Sequence, residues 1–149
     1  VTLRQLALGS APGRATLVFP PDETARGSLD ARIADQIRHE PHVAAVEVEV
    51  DTLDQQVASG LPEPDFGKLD VEGLELDVLQ GMRTLMSRRH PRLYIELHGA
   101  DAALKLHNVR AVAALLWEAG YDILHVESQS LLQRPEQLPG AIRGHLYCT

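Results

Sequence analysis

A single cysteine in 149 residues leaves no disulfide framework to staple the fold, and a lone thiol, Cys148, suits a reducing compartment. No stretch approaches the ~20 consecutive apolar residues of a membrane span, and the opening residues carry neither the charged nor the apolar region of a signal peptide. The fourteen lysines and arginines never gather into a dense run, and the net charge of −7 comes from dispersed acids, which argues against nucleic acid as a partner. Among eleven glycines there is no Gly-x-Gly pair, so a glycine-rich cofactor turn is missing as well. The expectation is a soluble, cytoplasmic protein, long enough for one domain with a real core, and with no membrane or nucleic-acid partner.

What is present divides into two rhythms. Residues 1–8 alternate as a strand does and open with no methionine, leader or cap, which reads as a start in mid-fold. Gly9, Pro12 and Gly13 set off a second strand over 15–19. Residues 43–51 alternate Val46, Val48 and Val50 with Glu47, Glu49 and Asp51, the pattern of an antiparallel strand with one wet face, and the two are expected to pair. Between them, 20–41 mixes prolines, charges and a short helical stretch over 29–37, long enough to serve as a lid or insertion.

From residue 65 strands and helices alternate. The spacing of Leu74, Val78, Met82 and Leu85 predicts one helix over 72–88, with Glu75, Asp77 and Arg83 off its apolar stripe. A strand over 92–98 follows, then a helix over 109–119 with Asn108 as its cap and Gly120 as its stop. A strand over 121–128, a polar stretch and a last strand over 144–149 complete a β-α-β-α-β-loop-β half. That alternation predicts a largely parallel sheet with helix-covered faces.

The chemistry concentrates at the end of the strand that opens this half. Ligands of open α/β sheets sit outside the carboxyl ends of the strands, which is where Asp70 and Glu72 fall. Either they wall an active site and orient an acceptor, or they cap a helix and answer its dipole. Lys68 shares the Asp70 face, and a lysine inside a strand needs a partner, which Asp70 or Glu96 can supply. Glu96 and His98 end the neighbouring strand on one face. His98 is the best general-base candidate, with Glu96 to orient it or to bind substrate, unless the pair only closes the strand before Gly99. His39 and His42 flank Glu40 and Pro41 without further clustered ligands, so no metal is assigned. Trp117 reads as helix packing, and Arg26 and Arg32 as insertion arginines that either solvate the loop or meet an acidic acceptor.

The run Asp65-Phe66-Gly67-Lys68-Leu69-Asp70-Val71-Glu72-Gly73-Leu74-Glu75, then Val78-Leu79-Gln80-Gly81, then Pro91-Arg92-Leu93-Tyr94-Ile95-Glu96-Leu97-His98, resembles the FkbM-family methyltransferases. Leu6-Ala7-Leu8-Gly9, the strand after Gly13, Ser28-Leu29 and Val50-Asp51-Thr52-Leu53-Asp54 resemble the family's segments in the same order, so the likeness covers nearly the whole chain. The resemblance implies an α/β, Rossmann-like class I fold and S-adenosylmethionine-dependent methylation of a hydroxyl on a sugar or polyketide-type small molecule. It places His98, Asp70 and Glu96 in catalysis, Glu72 and Lys68 at the substrate, and Ala7, Leu8 and Asp70 at the cofactor.

By the family's order the chain opens at about the third strand, so the expectation is an N-terminally truncated domain lacking the first two strands and their helices. Residues 1–64 then hold the third strand, an added antiparallel hairpin and the insertion, and 65–149 hold the β-α-β-α-β-loop-β half. The competing expectation is a non-catalytic α/β module that pairs with a missing half or a partner chain through its open sheet edge.

Overall fold

A computed structural model describes residues 3–149, so the first two residues of the strand expected over 1–8 lie outside the described residues. The strand itself shrinks to β1 (Ala7–Leu8), which pairs in parallel with β3 (Ala44–Asp51). On its other side β3 takes β2 (Gly13–Phe19) as an antiparallel partner along its whole length, from Gly13 opposite Val50 to Phe19 opposite Ala44. The valine and glutamate alternation of β3 produces this ribbon, although Val46 remains 45% exposed on the face meant to be dry. Helix α1 (Ala31–Arg38) buries Ala34 and Ile37 against Val18 in a small satellite core. The Asp30 carboxylate caps it, accepting from the backbone N–H groups of Arg32 and Ile33 at 3.0 Å each.

Helix α2 (Leu53–Ala58) follows β3, and the second half contains β4 (Phe66–Leu69), α3 (Glu75–Gln80), α4 (Arg83–Arg89), β5 (Arg92–Glu96), α5 (Ala102–Glu118), β6 (Ile123–His125), β7 (Ser130–Leu132) and β8 (His145–Cys148). A 3-10 helical stretch, Pro135–Ala141, joins the last two strands. Its sheet runs β4-β5-β8-β6-β7. β4 pairs with β5 in parallel, but the ladders β5 to β8, β8 to β6 and β6 to β7 are antiparallel, which corrects the expected largely parallel sheet. The cause is where β8 enters: it slides between β5 and β6 in the opposite direction and turns what would be one parallel ladder into two antiparallel ones. The main core lies on this sheet, where Leu79, Leu93, Ile95, Val112, Leu116 and Leu146 are all sealed from solvent.

The single helix expected over 72–88 is two helices. Gly81 packs against the backbone of Gly9 so closely that a Cβ there would overlap the Gly9 carbonyl oxygen, and the helix breaks at this contact. Asp54 fills the gap. Its N–H donates to the Gly81 carbonyl at 3.0 Å, while its carboxylate accepts from the N–H groups of Thr84 (2.9 Å) and Leu85 (2.8 Å) that open α4. Asn108 caps nothing: α5 begins at Ala102 under the Asp101 carboxylate, so Asn108 lies mid-helix with its amide free for other partners. The strand expected over 121–128 shrinks to β6, and the polar stretch after it supplies an unexpected strand, β7, which pairs with β6 through a turn at Gln129 in the left-handed region.

Gly81→Ala is expected to cost roughly 1–3 kcal/mol, because backbone cannot yield to the new methyl as a flexible side chain would. Gly13→Ala, where a Cβ meets no atom within 4 Å, serves as the control and is expected to stay within about 0.5 kcal/mol. Urea unfolding of both variants checks this; equal losses would remove the Gly9 contact as the cause of the helix break.

Candidate active site

The chain leaves β4 through Asp70 and Val71 and reverses at Glu72 (φ 48°) and Gly73 (φ 105°) before α3 begins. A left-handed glutamate costs on the order of 1–3 kcal/mol and persists only where its surroundings impose it. Here the insertion does so: the Ser28 hydroxyl donates to the Glu72 carbonyl at 2.6 Å, and the space a Cβ of Gly73 would need is taken by Ile33 and Asp30 of the α1 start. Gln36 of α1 also donates to the Ala100 carbonyl at 2.8 Å, so residues 20–41 are clamped across the β4 to α3 turn. The reversal turns the Glu72 side chain back toward the ends of β4 and β5.

His98 stands just past the end of β5, with its side chain 17% exposed. Its Nε2 faces three carboxylates without bonding to any: Glu72 and Glu96 at 3.7 Å and Asp70 at 4.0 Å. Its Nδ1 lies 2.8 Å from Oε1 of Glu75, a carboxylate with no solvent access at all. Asn108 donates one amide to both Glu75 Oε2 (2.7 Å) and the His98 carbonyl (3.0 Å). Burial pulls the proton affinity of His98 down, but the Glu75 hydrogen bond and the fields of Glu72, Glu75 and Glu96 outweigh it, and the pKa is raised. The Glu72 carboxyl is raised as well, first by burial, against the lowering field of His98.

The outer carboxylates have partners of their own. Lys68 binds Asp70 at 2.6 Å and is itself held protonated by that bond. Glu96 stands 3.4 Å from Nε2 of His145, whose Nδ1 bonds Glu127 at 2.7 Å and whose ring stacks on Tyr94. The two bonds from His145 hold the Glu127 carboxyl down at about 2. Ligand atoms of Asp70, Glu96 and His98 fall within 4.8 Å of one another, a spacing a cation could use, although Lys68 and His145 already answer two of them.

A groove of about 600 Å³ opens between the free edges of β1 and β4, walled by Leu8, Leu53, Leu69, Val71, Val78 and Met82. Among the described residues no strand pairs with either edge.

The sequence profile described as the methyltransferase FkbM domain matches residues 1–123. The chain belongs to the FkbM methyltransferase family. No curated protein and no solved structure matches it. Within this FkbM domain, the acceptor-side candidates Asp70, Glu72, Glu96, His98 and Lys68 converge at the ends of β4 and β5. Ala7 and Leu8 do not join them: strand alternation sends Leu8 into the groove and Ala7 to a separate hollow beside Leu6, Val46 and Val48.

Arg26 is engaged by Glu23 (2.9 Å) and Glu40 (2.6 Å), while Arg32 lines a small hollow that reaches His98. Trp117 packs beside the core and donates to the Leu132 carbonyl at 3.0 Å, and His39 is spent on the Asp35 carbonyl at 2.7 Å. Residues 124–149, outside the profile match, still supply β8 to the middle of the sheet. No described helix of the FkbM domain is long and apolar enough to cross a membrane.

Glu75 and Asn108 are the residues the sequence reading missed. A third acid in Asp70-Val71-Glu72-Gly73-Leu74-Glu75 was visible, but it reads as a solvated helix position until α5 closes over it.

The raised His98 pKa fixes a pH dependence. A group held protonated by the fold stabilises it fully below its unfolded pKa, about 6.5, and that contribution disappears as pH rises through the folded value. As pH rises above about 6.5, thermal stability of the wild-type chain should therefore fall more than that of His98→Gln. Parallel profiles would remove His98 as the source.

Proposed function

We propose that this FkbM domain is the acceptor-binding part of an S-adenosylmethionine-dependent O-methyltransferase acting on a hydroxyl of a sugar or polyketide-type small molecule. The observation that carries the reading is the convergence of Asp70, Glu72 and Glu96 on the unbonded Nε2 of His98, at the strand ends where α/β sheets hold their ligands. The donor set also suits the cofactor: four carboxylates meet one lysine, Lys68, and two imidazoles, His98 and a His145 shared with Glu127, and the remaining negative charge favours a cationic sulfonium. When bound, the cofactor supplies a methyl group on a good leaving group. Asp70 would face its sulfonium end and Leu8 its adenine side.

The chain's own residues then do two things. Asp70, Glu72 and Glu96 accept hydrogen bonds from the acceptor's hydroxyls and hold the reacting oxygen in line, a positioning effect. His98 takes the hydroxyl proton on Nε2 as the new oxygen–carbon bond forms, an assistance of about 10²–10⁴-fold for a placed general base.

We assign the cofactor cradle to strands outside residues 1–149 that would fill the groove between β1 and β4. The groove's apolar walls and two unpaired strand edges support this reading. Phe66, 52% exposed on the free β4 edge, favours a second reading, a non-catalytic module that pairs there with another chain.

Calorimetric titration with S-adenosylmethionine separates the two. The 149-residue chain is expected to bind weakly or not at all, and a chain extended upstream through a strand and Gly-x-Gly turn at least tenfold more tightly. Tight binding by the short chain would sink the divided-cradle reading, and no binding by either would favour the module.

In the extended protein Asp70→Asn is expected to lower turnover tenfold or more. Its unfolding free energy should change by no more than about 1 kcal/mol, since the exposed Lys68 pair contributes little. Lost stability with unchanged turnover would return Asp70 to a structural role.

A further inference from the structure

Glu75 is the one carboxylate of the cluster that no acceptor can touch. Its residue is 0% exposed at the start of α3, whereas Asp70 and Glu96 are each 38% exposed at the side chain and Glu72 26%. A buried carboxylate without compensation costs several kcal/mol, so its partners matter. Among the described residues no lysine or arginine nitrogen reaches it; three donors do. Oε1 accepts from the Gly73 N–H at 3.1 Å and meets His98 Nδ1 at 2.8 Å, while Oε2 accepts from Asn108 at 2.7 Å.

An ionised carboxylate can only accept, so the proton in the contact with His98 belongs to Nδ1. A neutral His98 is therefore the Nδ1–H tautomer, with its Nε2 lone pair turned toward Asp70, Glu72 and Glu96. Asn108 locks the arrangement from the other side, because the same amide that holds Glu75 also holds the backbone carbonyl of His98. Three separate elements, α3, α5 and the end of β5, converge to fix one imidazole.

We infer that Glu75 is a positioning residue that, secured by Asn108, holds His98 in the Nδ1–H tautomer and aims its Nε2 at the acceptor hydroxyl. What Nε2 does rests on the methyl-transfer reading above; the tautomer does not. In the step itself the hydroxyl proton passes to Nε2 as the oxygen–methyl bond forms and the sulfur–methyl bond breaks. The Glu75 oxygen that accepts from Nδ1–H stabilises the resulting imidazolium. Among the described residues, the other charged groups around His98 are Asp70 with its Lys68, Glu72, and Glu96 with its His145, while Asp30, Arg32, Asp77 and His107 line the hollow beside it; the three acids attract positive charge to the ring but none bonds to it. Among the described residues, Glu75 alone is within hydrogen-bond distance of a ring nitrogen.

Nitrogen-15 NMR of the imidazole rings in the 149-residue chain tests this directly. The chain has seven histidines, and His98 is identified by the signal that His98→Gln removes. The expected result is a neutral His98 protonated on Nδ1, and a proton affinity that falls tenfold or more in Glu75→Gln, which keeps an acceptor but loses the charge. A residue that merely fills space would lower the melting temperature and leave the titration where it is.

A neutral His98 protonated on Nε2, or an unchanged proton affinity in a folded Glu75→Gln, overturns the inference. Should that variant not fold, the wild-type tautomer alone decides. No methyl donor enters the measurement, so a chain with the expected tautomer but no methyl transfer after extension counts against the methyl-transfer reading and not against this one.

Discussion

A carboxylate without access to water sits where α3, α5 and the end of β5 meet, and the site is arranged around the need to satisfy it. Glu75 cannot be buried alone, so it draws in the Gly73 N–H, the His98 ring and the Asn108 amide. The first donor requires the left-handed turn at Glu72 and Gly73; the second sets the orientation of the imidazole. The third brings α5 down onto α3. Removing the turn would misplace the Glu72 side chain, and removing α5 would expose the carboxylate. The clamp from Ser28 to Glu72 and from Gln36 to Ala100 extends the same constraint to the insertion, which is thereby a fixed wall of the site.

A second constraint lies on the opposite side of β4. The two sheets end in β1 and β4, each paired in parallel on one side and, among the described residues, unpaired on the other; both face one groove, and α2 and α3 supply its apolar floor. The halves are nonetheless joined. Gly9 rests on Gly81 by backbone contact, and the Asp54 carboxylate bridges α2 to α4, so the groove has a defined width. A rigid gap between strand edges is a template for added strands, in keeping with the divided cradle proposed for this FkbM domain.

Much of this was legible beforehand, for identifiable reasons. The β2 and β3 ribbon follows from strict alternation, the shortened parallel strand β4 from its apolar run, and the placing of Asp70, Glu72, Glu96 and His98 at strand ends from the rule that side chains two apart share a face. The errors share a cause too. The break at Gly81 arises from a residue 72 positions earlier in the chain, and Asn108, a good cap by type, was displaced because Asp101 caps the helix first. The antiparallel β8 was invisible because strand direction depends on where a strand enters a sheet, and its own residues carry no sign of that.

The sequence by itself determined the identities at the strand ends, the family, and the alternating rhythm, since these rest on local periodicity and on motifs a few residues long. Tertiary structure alone decided that Glu75 is buried and bonded to His98, that Asn108 joins them across 33 and 10 positions, and that Ala7 and Leu8 part company across β1. The reason is that burial is a property of what closes over a residue. A buried acid and an exposed one are written with the same letter, and only the packing of α5 tells them apart.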